Sequence, residues 1–96
     1  MAAYLVVDTK ITDDEAYETY KLGAKHIVES SGGGYLVRSG NTTAPENELR
    51  NPTRPVIIHS PSRENAEAFL DSDEYAPVKA IRHKNAKSTI YIVDGV

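Results

Sequence analysis

The chain has 96 residues, a formal net charge of −3 at pH 7 and no cysteine. A chain of this length has material for only one hydrophobic core, so we predict a single domain over residues 1–96. The absence of cysteine excludes a disulfide framework, a zinc ribbon and a thiol nucleophile. Because a nucleic-acid groove must neutralise several phosphates, the acidic balance argues against that partner and favours a small molecule or another protein.

The N-terminal segment MAAYLVVDTK has neither the basic start nor the long apolar run of a signal peptide, and no later stretch approaches membrane-spanning length. We therefore expect a cytoplasmic protein that does not bind membranes. The three histidines, His26, His59 and His83, do not have the spacing of metal ligands. We expect neither a metal nor a cofactor.

A strand and an amphipathic helix open the chain. The apolar run at residues 4–7 predicts a first strand, ended by the polar residues 8–10. Thr12 and Glu15 have the spacing of a capping box, which predicts the start of the helix. Its apolar stripe recurs at three- and four-residue steps and comprises Tyr17, Tyr20, Ala24, Ile27 and Val28. Gly23 costs about 1 kcal/mol relative to alanine in a helix, and therefore predicts a close approach to the sheet.

Glycines 32–34 separate this helix from a second strand. A phosphate-binding glycine loop leads from a strand into a helix, so that the N–H groups of the helix start face the anion. Here the order is reversed, and we interpret the glycines as a helix stop and a tight turn. Simple alternation in the strand then places Tyr35, Val37 and Ser39 on one face and Leu36 and Arg38 on the other.

The second half of the chain predicts a loop, a strand, a bent helical region and a last strand. Residues 41–53 are rich in proline and poor in apolar residues, which is typical of an exposed connection, and residues 56–59 form the next strand. Either Ser60 or Ser62 caps the helix that follows, and Ser72 begins a second helical piece. In the final strand, Thr89, Tyr91 and Val93 alternate with Ile90 and Ile92.

The element order is therefore strand, helix, strand, strand, helix, strand. With right-handed crossovers, this order closes into a four-stranded antiparallel sheet with both helices on one face, an α+β ferredoxin-like sandwich. Strands with apolar residues on both sides leave the opposite face in need of a cover. We therefore predict a homodimer in which two copies pack sheet to sheet.

The polar candidates for a site each have a functional and a structural interpretation. Arg38 can hold a carboxylate or enolate bidentately, or form a structural ion pair. His59 is a candidate general base, because histidine titrates nearest to neutral pH, or a hydrogen-bonded histidine at a strand end. Tyr17, Tyr20 and Tyr75 can hydrogen-bond a ligand oxygen or belong to the core. The basic residues around the end of the second helix form an anion patch or complement the helix terminus: Lys79, Arg82, His83, Lys84 and Lys87.

Four segments carry a resemblance to a known family: AYLVVDTKITDDEAYETY, GGGYLVRSG, VIIHSPSRENAEAFLDSDEY and IVDG. In this order and spacing they are similar to the small bacterial family catalogued as domain of unknown function 1330, in the dimeric alpha-beta barrel superfamily. Arg38, Tyr75 and Arg82 match the family, whereas the tryptophan common in its hairpin is absent from this chain. The resemblance implies the fold and the homodimer, and no settled reaction.

Two hypotheses about function follow. As the resemblance implies, the wider superfamily includes cofactor-free monooxygenases and isomerases that bind small molecules between sheet and helices. In the first hypothesis the dimer binds a small anionic or aromatic molecule there, and His59 or a tyrosine moves a proton during cofactor-free isomerisation or oxygenation. The ligand-binding residues would be Arg38, which holds the negative oxygen, with Tyr17, Tyr20, Tyr75 and Arg82. In the second, the protein is a non-catalytic structural or stress-related dimeric module.

Overall fold

The computed structural model describes residues 1–38 and 40–96. Its elements follow the order β1 (Ala3–Ile11), α1 (Asp14–Ser30), β2 (Gly34–Arg38), β3 (Pro55–Ser60), α2 (Arg63–Asp71), α3 (Ala76–Asn85) and β4 (Ala86–Asp94). In this part of the chain, four strands form one antiparallel sheet in the order β2-β3-β1-β4. The α+β ferredoxin-like prediction is confirmed. Over the same residues, no helix is both long and apolar enough to cross a membrane.

The sheet has an inner face under the helices and an open face. Leu5 and Ile58 pair across β1 and β3, point inward and are only 2% and 8% exposed. The helices pack on them through Ala24, Ile27, Val28, Ala66, Phe69 and Tyr75. Their neighbours along the strands, such as Val6 and Ile57, lie on the open face. In β4, Ile90 and Ile92 pack inward while Tyr91 and Val93 stay exposed, which is the predicted alternation.

β1 is longer than predicted, and this moves the start of α1. The strand continues through residues 8–10 to Ile11, because these residues pair with β4. The backbone N–H of Thr12 donates to the carbonyl oxygen of Asn85 at 2.8 Å, so the chain turns one residue later than a Thr12 cap requires. The N-cap is Asp13, whose side-chain oxygen accepts a backbone N–H of the first turn at 3.1 Å. The predicted capping box is wrong.

The second helical region consists of two pieces, as predicted. Of the two candidate caps, Ser62 is the one used, because its hydroxyl oxygen accepts the backbone N–H of Asn65 at 3.1 Å. Ser72 stops α2 and organises the turn into α3, since its hydroxyl oxygen accepts the N–H of Tyr75 at 3.1 Å. The bend therefore sets where Tyr75 enters the core, at 1% exposure.

β2 departs from simple alternation. Tyr35 opposes Ile58, whereas Arg38, three residues further on, opposes Val56, only two residues back along β3. Ile58 and Val56 point to the inner face, so Tyr35 and Arg38 do as well. The prediction of opposite faces for these two side chains is wrong, because the extra residue of a β-bulge reverses the alternation. Ser39, which was predicted to share the face of Tyr35, lies outside the described residues.

Each of the three consecutive glycines has a different environment. Gly32 has a φ of 87°, a left-handed conformation that closes the helix. The N–H of Gly33 donates to the carbonyl of Val28 at 3.0 Å, and a Cβ on Gly33 would lie 2.8 Å from the carbonyl oxygen of His59. A Cβ on Gly34 would meet nothing within 4 Å. The interpretation as helix stop and tight turn is confirmed.

Gly23 shows the predicted close approach, but to a different element. A Cβ at this position would lie 3.0 Å from Cγ2 of Val78. Val78 belongs to α3, so the glycine lets the two helices pack closely and does not bring α1 onto the sheet. The prediction of an approach to the sheet is wrong.

Substituting the three glycines one at a time by alanine should lower the free energy of unfolding by three different amounts. Gly33→Ala is expected to lower the free energy of unfolding by about 2 kcal/mol, because its Cβ overlaps backbone that cannot rotate away. Gly32→Ala should cost about 1 kcal/mol through its left-handed backbone. Gly34→Ala is the matched control and should change stability by less than about 0.5 kcal/mol. Urea unfolding followed by circular dichroism measures all three, and equal losses would contradict the assignment.

Candidate functional site

A cavity lies between the inner face of the sheet and α1, beside the bulged strand β2. Its volume is about 50 Å³. Its lining combines apolar side chains of the sheet (Val7, Val56, Ile58), three tyrosines (Tyr17, Tyr20, Tyr35) and three cations (Lys21, Arg38, Arg54). Lys21 is already paired with Glu18 at 2.7 Å. The cavity thus joins flat aromatic walls to two guanidinium groups.

The two arginines of the cavity stack on its tyrosines. The guanidinium carbon of Arg38 lies 4.6 Å from the centroid of the Tyr35 ring, and that of Arg54 lies 6.0 Å from the centroid of the Tyr17 ring. Among the described residues, neither arginine forms an ion pair with a carboxylate. The structural ion pair considered for Arg38 is therefore not formed within this part of the chain. An anion entering the cavity would meet two cations free to bind it.

Arg54 is a site residue that the sequence interpretation missed. It directly follows the exposed loop of residues 41–53, and its backbone is held by Asp8 of β1. One carboxylate oxygen of Asp8 accepts the backbone N–H groups of Arg54 at 2.9 Å and Thr53 at 3.0 Å, and the Thr53 hydroxyl at 3.0 Å. Partial burial alone would raise the pKa of Asp8, but these hydrogen bonds outweigh it and lower the pKa. Asp8 thus stays ionised and holds Arg54 at the cavity.

The tyrosines form a packed aromatic group that reaches from the cavity into the core. The rings of Tyr17 and Tyr20 have centroids 4.9 Å apart. The hydroxyl oxygen of Tyr20 lies 2.7 Å from that of Tyr75, whose ring packs on Phe69 at 4.5 Å. Burial raises the pKa of Tyr17 and Tyr35, and raises that of Tyr20 far above its ordinary value. These hydroxyl groups therefore stay protonated and can donate hydrogen bonds.

Arg82 is a buried cation behind this group. It belongs to α3 and is only 6% exposed. Its Nη2 donates to Nε2 of His83 at 3.3 Å, and its Nε has no partner among the described residues. Burial raises the pKa of Tyr17 and Tyr20, and the charge of Arg82 partly offsets that rise at both tyrosines. A buried charge with so few partners is costly to stability.

His59 lies on the other side of the sheet. It pairs with Tyr4, and the two rings meet edge to face with centroids 5.7 Å apart. Its chain neighbours Ile58 and Ser60 point inward and are buried, so the imidazole points to the open face. The structure therefore brings Arg38 together with the tyrosines and separates both from His59.

Fold and cavity together define a ferredoxin-like α+β protein with an arginine- and tyrosine-lined cavity under its helices. The chain belongs to the family described as Domain of unknown function (DUF1330), whose sequence profile matches residues 2–96. The family resemblance seen in the sequence is confirmed. No curated protein matches the chain significantly.

Solved structures of the same fold cover almost the whole chain. The RPA0582 protein of unknown function from Rhodopseudomonas palustris has a TM-score of 0.78 at 13% identity, over 99% of this chain and 82% of that one. SnoaB, a cofactor-independent oxygenase from Streptomyces nogalater, has a TM-score of 0.70 at 8% identity, over 99% and 93%. A dimeric ferredoxin-like protein of unknown function from Jannaschia sp. CCS1 has a TM-score of 0.66 at 7% identity, over 99% and 100%. At such low sequence identity, these structural similarities show a common fold and nothing more.

Proposed function

We propose that the protein is a homodimer that binds a small, planar organic anion in the cavity between the sheet and α1. The observation that carries this proposal is the convergence of Arg38 and Arg54, without carboxylate partners among the described residues, on a cavity lined by tyrosines. Guanidinium groups bind carboxylates bidentately, and aromatic rings pack against flat ligands. An aromatic or enolic carboxylate satisfies both features at once.

Binding requires the cavity to open. Its volume of about 50 Å³ suits water molecules, whereas pockets for organic ligands hold about 300–1,000 Å³. Arg38 and Arg54 are the side chains suited to move, because each lies on an aromatic ring and is held by no ion pair among the described residues. In this proposal they rotate off Tyr35 and Tyr17 and take the ligand carboxylate in exchange.

The chemistry that suits such a site is cofactor-free isomerisation or oxygenation. Both need an electron-rich enolate or phenolate, and fixed donors and cations stabilise that anion. The structural neighbour SnoaB, a cofactor-independent oxygenase, supports this class. A proton-transfer role for His59 would belong to a separate site at the open face, because its imidazole points away from the cavity.

The homodimer is supported by the open face of the sheet. Val6, Ile57, Tyr91 and Val93 lie on this face, and Tyr91 and Val93 are each 45% exposed. An apolar sheet face is costly in water, and an identical face on a second copy covers it with closed two-fold symmetry. The dimeric ferredoxin-like neighbour supports this assembly.

Thermal-shift measurements with small aromatic acids test ligand binding. Benzoate and hydroxybenzoates are expected to stabilise the wild-type protein, by about 2.7 kcal/mol when a ligand is present at 100 times its dissociation constant. Arg38→Ala should abolish this stabilisation. Arg63→Ala is the matched control. Arg63 lies on α2, pairs with Asp94 of β4 at 2.9 Å and does not line the cavity. A stabilisation that persists unchanged in Arg38→Ala would contradict the assignment of Arg38.

The alternative is a non-catalytic structural or stress-related dimeric module. The small cavity volume of about 50 Å³ favours it. In that case none of the aromatic acids stabilises the protein, while the dimer forms as before. The thermal-shift series and the oligomeric state together therefore separate the two functions.

A further inference from the structure

Two tyrosines of unequal burial share one hydrogen bond at the back of the cavity. Tyr20 lines the cavity, whereas Tyr75 does not and is only 1% exposed. Their hydroxyl oxygens lie 2.7 Å apart, the usual distance of an O–H···O hydrogen bond. Among the described residues, the Tyr75 hydroxyl has no other hydrogen-bond partner. Each hydroxyl group carries one proton, but only one of these two protons can lie between the two oxygens.

Burial determines which tyrosine donates. If Tyr20 donated to Tyr75, the Tyr75 proton would remain in the core without an acceptor, and an unsatisfied buried donor is costly. If Tyr75 donates to Tyr20, the Tyr75 hydroxyl group is satisfied, and the Tyr20 proton is free for a ligand or water in the cavity that Tyr20 lines. The second arrangement is therefore favoured. Burial first, and the contact with Tyr75 second, raise the pKa of Tyr20 far above its ordinary value, so its hydroxyl group stays protonated.

We propose that Tyr75 and Tyr20 form a directed hydrogen-bond chain that makes Tyr20 a donor to an enolate or phenolate oxygen of the bound molecule. In such a chain the first bond polarises the second and strengthens it. Tyr20 is the residue that touches the ligand, and Tyr75 is a positioning residue. This inference rests on the proposed function and narrows its ligand to an anion with two oxygen groups: a carboxylate at Arg38, and an enolic or phenolic oxygen at Tyr20.

The direction of the chain can be measured without a ligand. Proton NMR of the wild-type protein should show one slowly exchanging hydroxyl proton, with nuclear Overhauser contacts to the ring protons of Tyr75 that flank the hydroxyl carbon. The signal should be absent in Tyr75→Phe, because the remaining Tyr20 proton faces the cavity and exchanges with water. A protected hydroxyl proton whose contacts place it on the Tyr20 ring would overturn the proposed direction.

The donor role is tested with 4-nitrophenol, whose absorbance reports ionisation, and with benzoate, which has no phenolic oxygen. Because a hydrogen bond stabilises the phenolate, Tyr20→Phe should raise the pKa of bound 4-nitrophenol by about one unit. Tyr75→Phe should give an intermediate value. Tyr4→Phe is the matched control, because Tyr4 lies on the opposite face beside His59. It should match the wild-type protein in every measurement.

The outcomes separate this inference from the proposed function. If benzoate binds and depends on Arg38, but Tyr20→Phe leaves the pKa of bound 4-nitrophenol unchanged, the hydrogen-bond chain is overturned and the anion site remains. If neither compound stabilises or binds the wild-type protein, the anion site is overturned, and the donor role of Tyr20 with it.

Discussion

Replacing Ile57 by aspartate is expected to convert the proposed homodimer into a monomer of 10.5 kDa. Ile57 pairs with Val6 on one side and Val37 on the other, in the middle of the open face. In the proposed dimer, each copy would bury an unpaired carboxylate against the apolar face of the other, which costs several kcal/mol per carboxylate. Light scattering at micromolar concentration should give twice the monomer mass for the wild-type protein and the monomer mass for Ile57→Asp.

Leu22→Asp is the matched control for this substitution. Leu22 lies on α1 and is 75% exposed, so the same change of side chain falls on the helical side of the molecule. This variant should keep the dimer mass. A wild-type mass of 10.5 kDa, or a dimer that persists in Ile57→Asp, would contradict packing through the open face.

The fold could be predicted from the sequence because each buried helix or strand needs apolar residues at a regular spacing. The apolar stripe of α1 recurs at helical spacing, and four of its members, Tyr17, Ala24, Ile27 and Val28, are buried. β4 alternates with period two, and its inward residues join the core. These signals are local, repeated and redundant. One missing match, such as the Thr12 cap, therefore changes a boundary and leaves the topology intact.

The candidate site was predicted only in part, because its geometry depends on single, non-repeated events. One extra residue in β2 turns Arg38 onto the face of Tyr35, and no periodic pattern reports a bulge in a strand of five residues. Arg54 reaches the cavity because Asp8, forty-six positions earlier in sequence, holds its backbone. The position of Arg54 directly before Pro55, the first residue of β3, was the one available signal.

The separation of His59 from the cavity has the same kind of cause. Its face follows from the register of β3 against β1, which pairs His59 with Tyr4 and Ile58 with Leu5. A shift of the register by one residue would exchange the two faces of the strand. In a strand that is apolar on both sides, residue types alone do not distinguish these registers. The face of each residue becomes clear only in the folded structure, where the helices cover Ile58.

Arg82→Met is expected to raise the free energy of unfolding by about 1–2 kcal/mol, because it replaces a desolvated charge by an apolar side chain of similar length. The guanidinium group is buried and donates a hydrogen bond to His83, while its Nε has no partner among the described residues. The same substitution should reduce the stabilisation by benzoate, since Arg82 adds positive charge behind Tyr17 and Tyr20. Urea unfolding with and without benzoate measures both effects.

Lys84→Met is the matched control, because it removes the same charge from an exposed position of the same helix. It should change neither stability nor benzoate binding appreciably.

A protein that keeps a costly buried cation gains something from it elsewhere, and stability exchanged for ligand binding is the usual form of that compromise. If Arg82→Met lowers stability, the guanidinium group is structural. If it raises stability without weakening benzoate binding, the cation does not serve this cavity. Only a more stable protein that binds benzoate less tightly makes Arg82 part of the anion site.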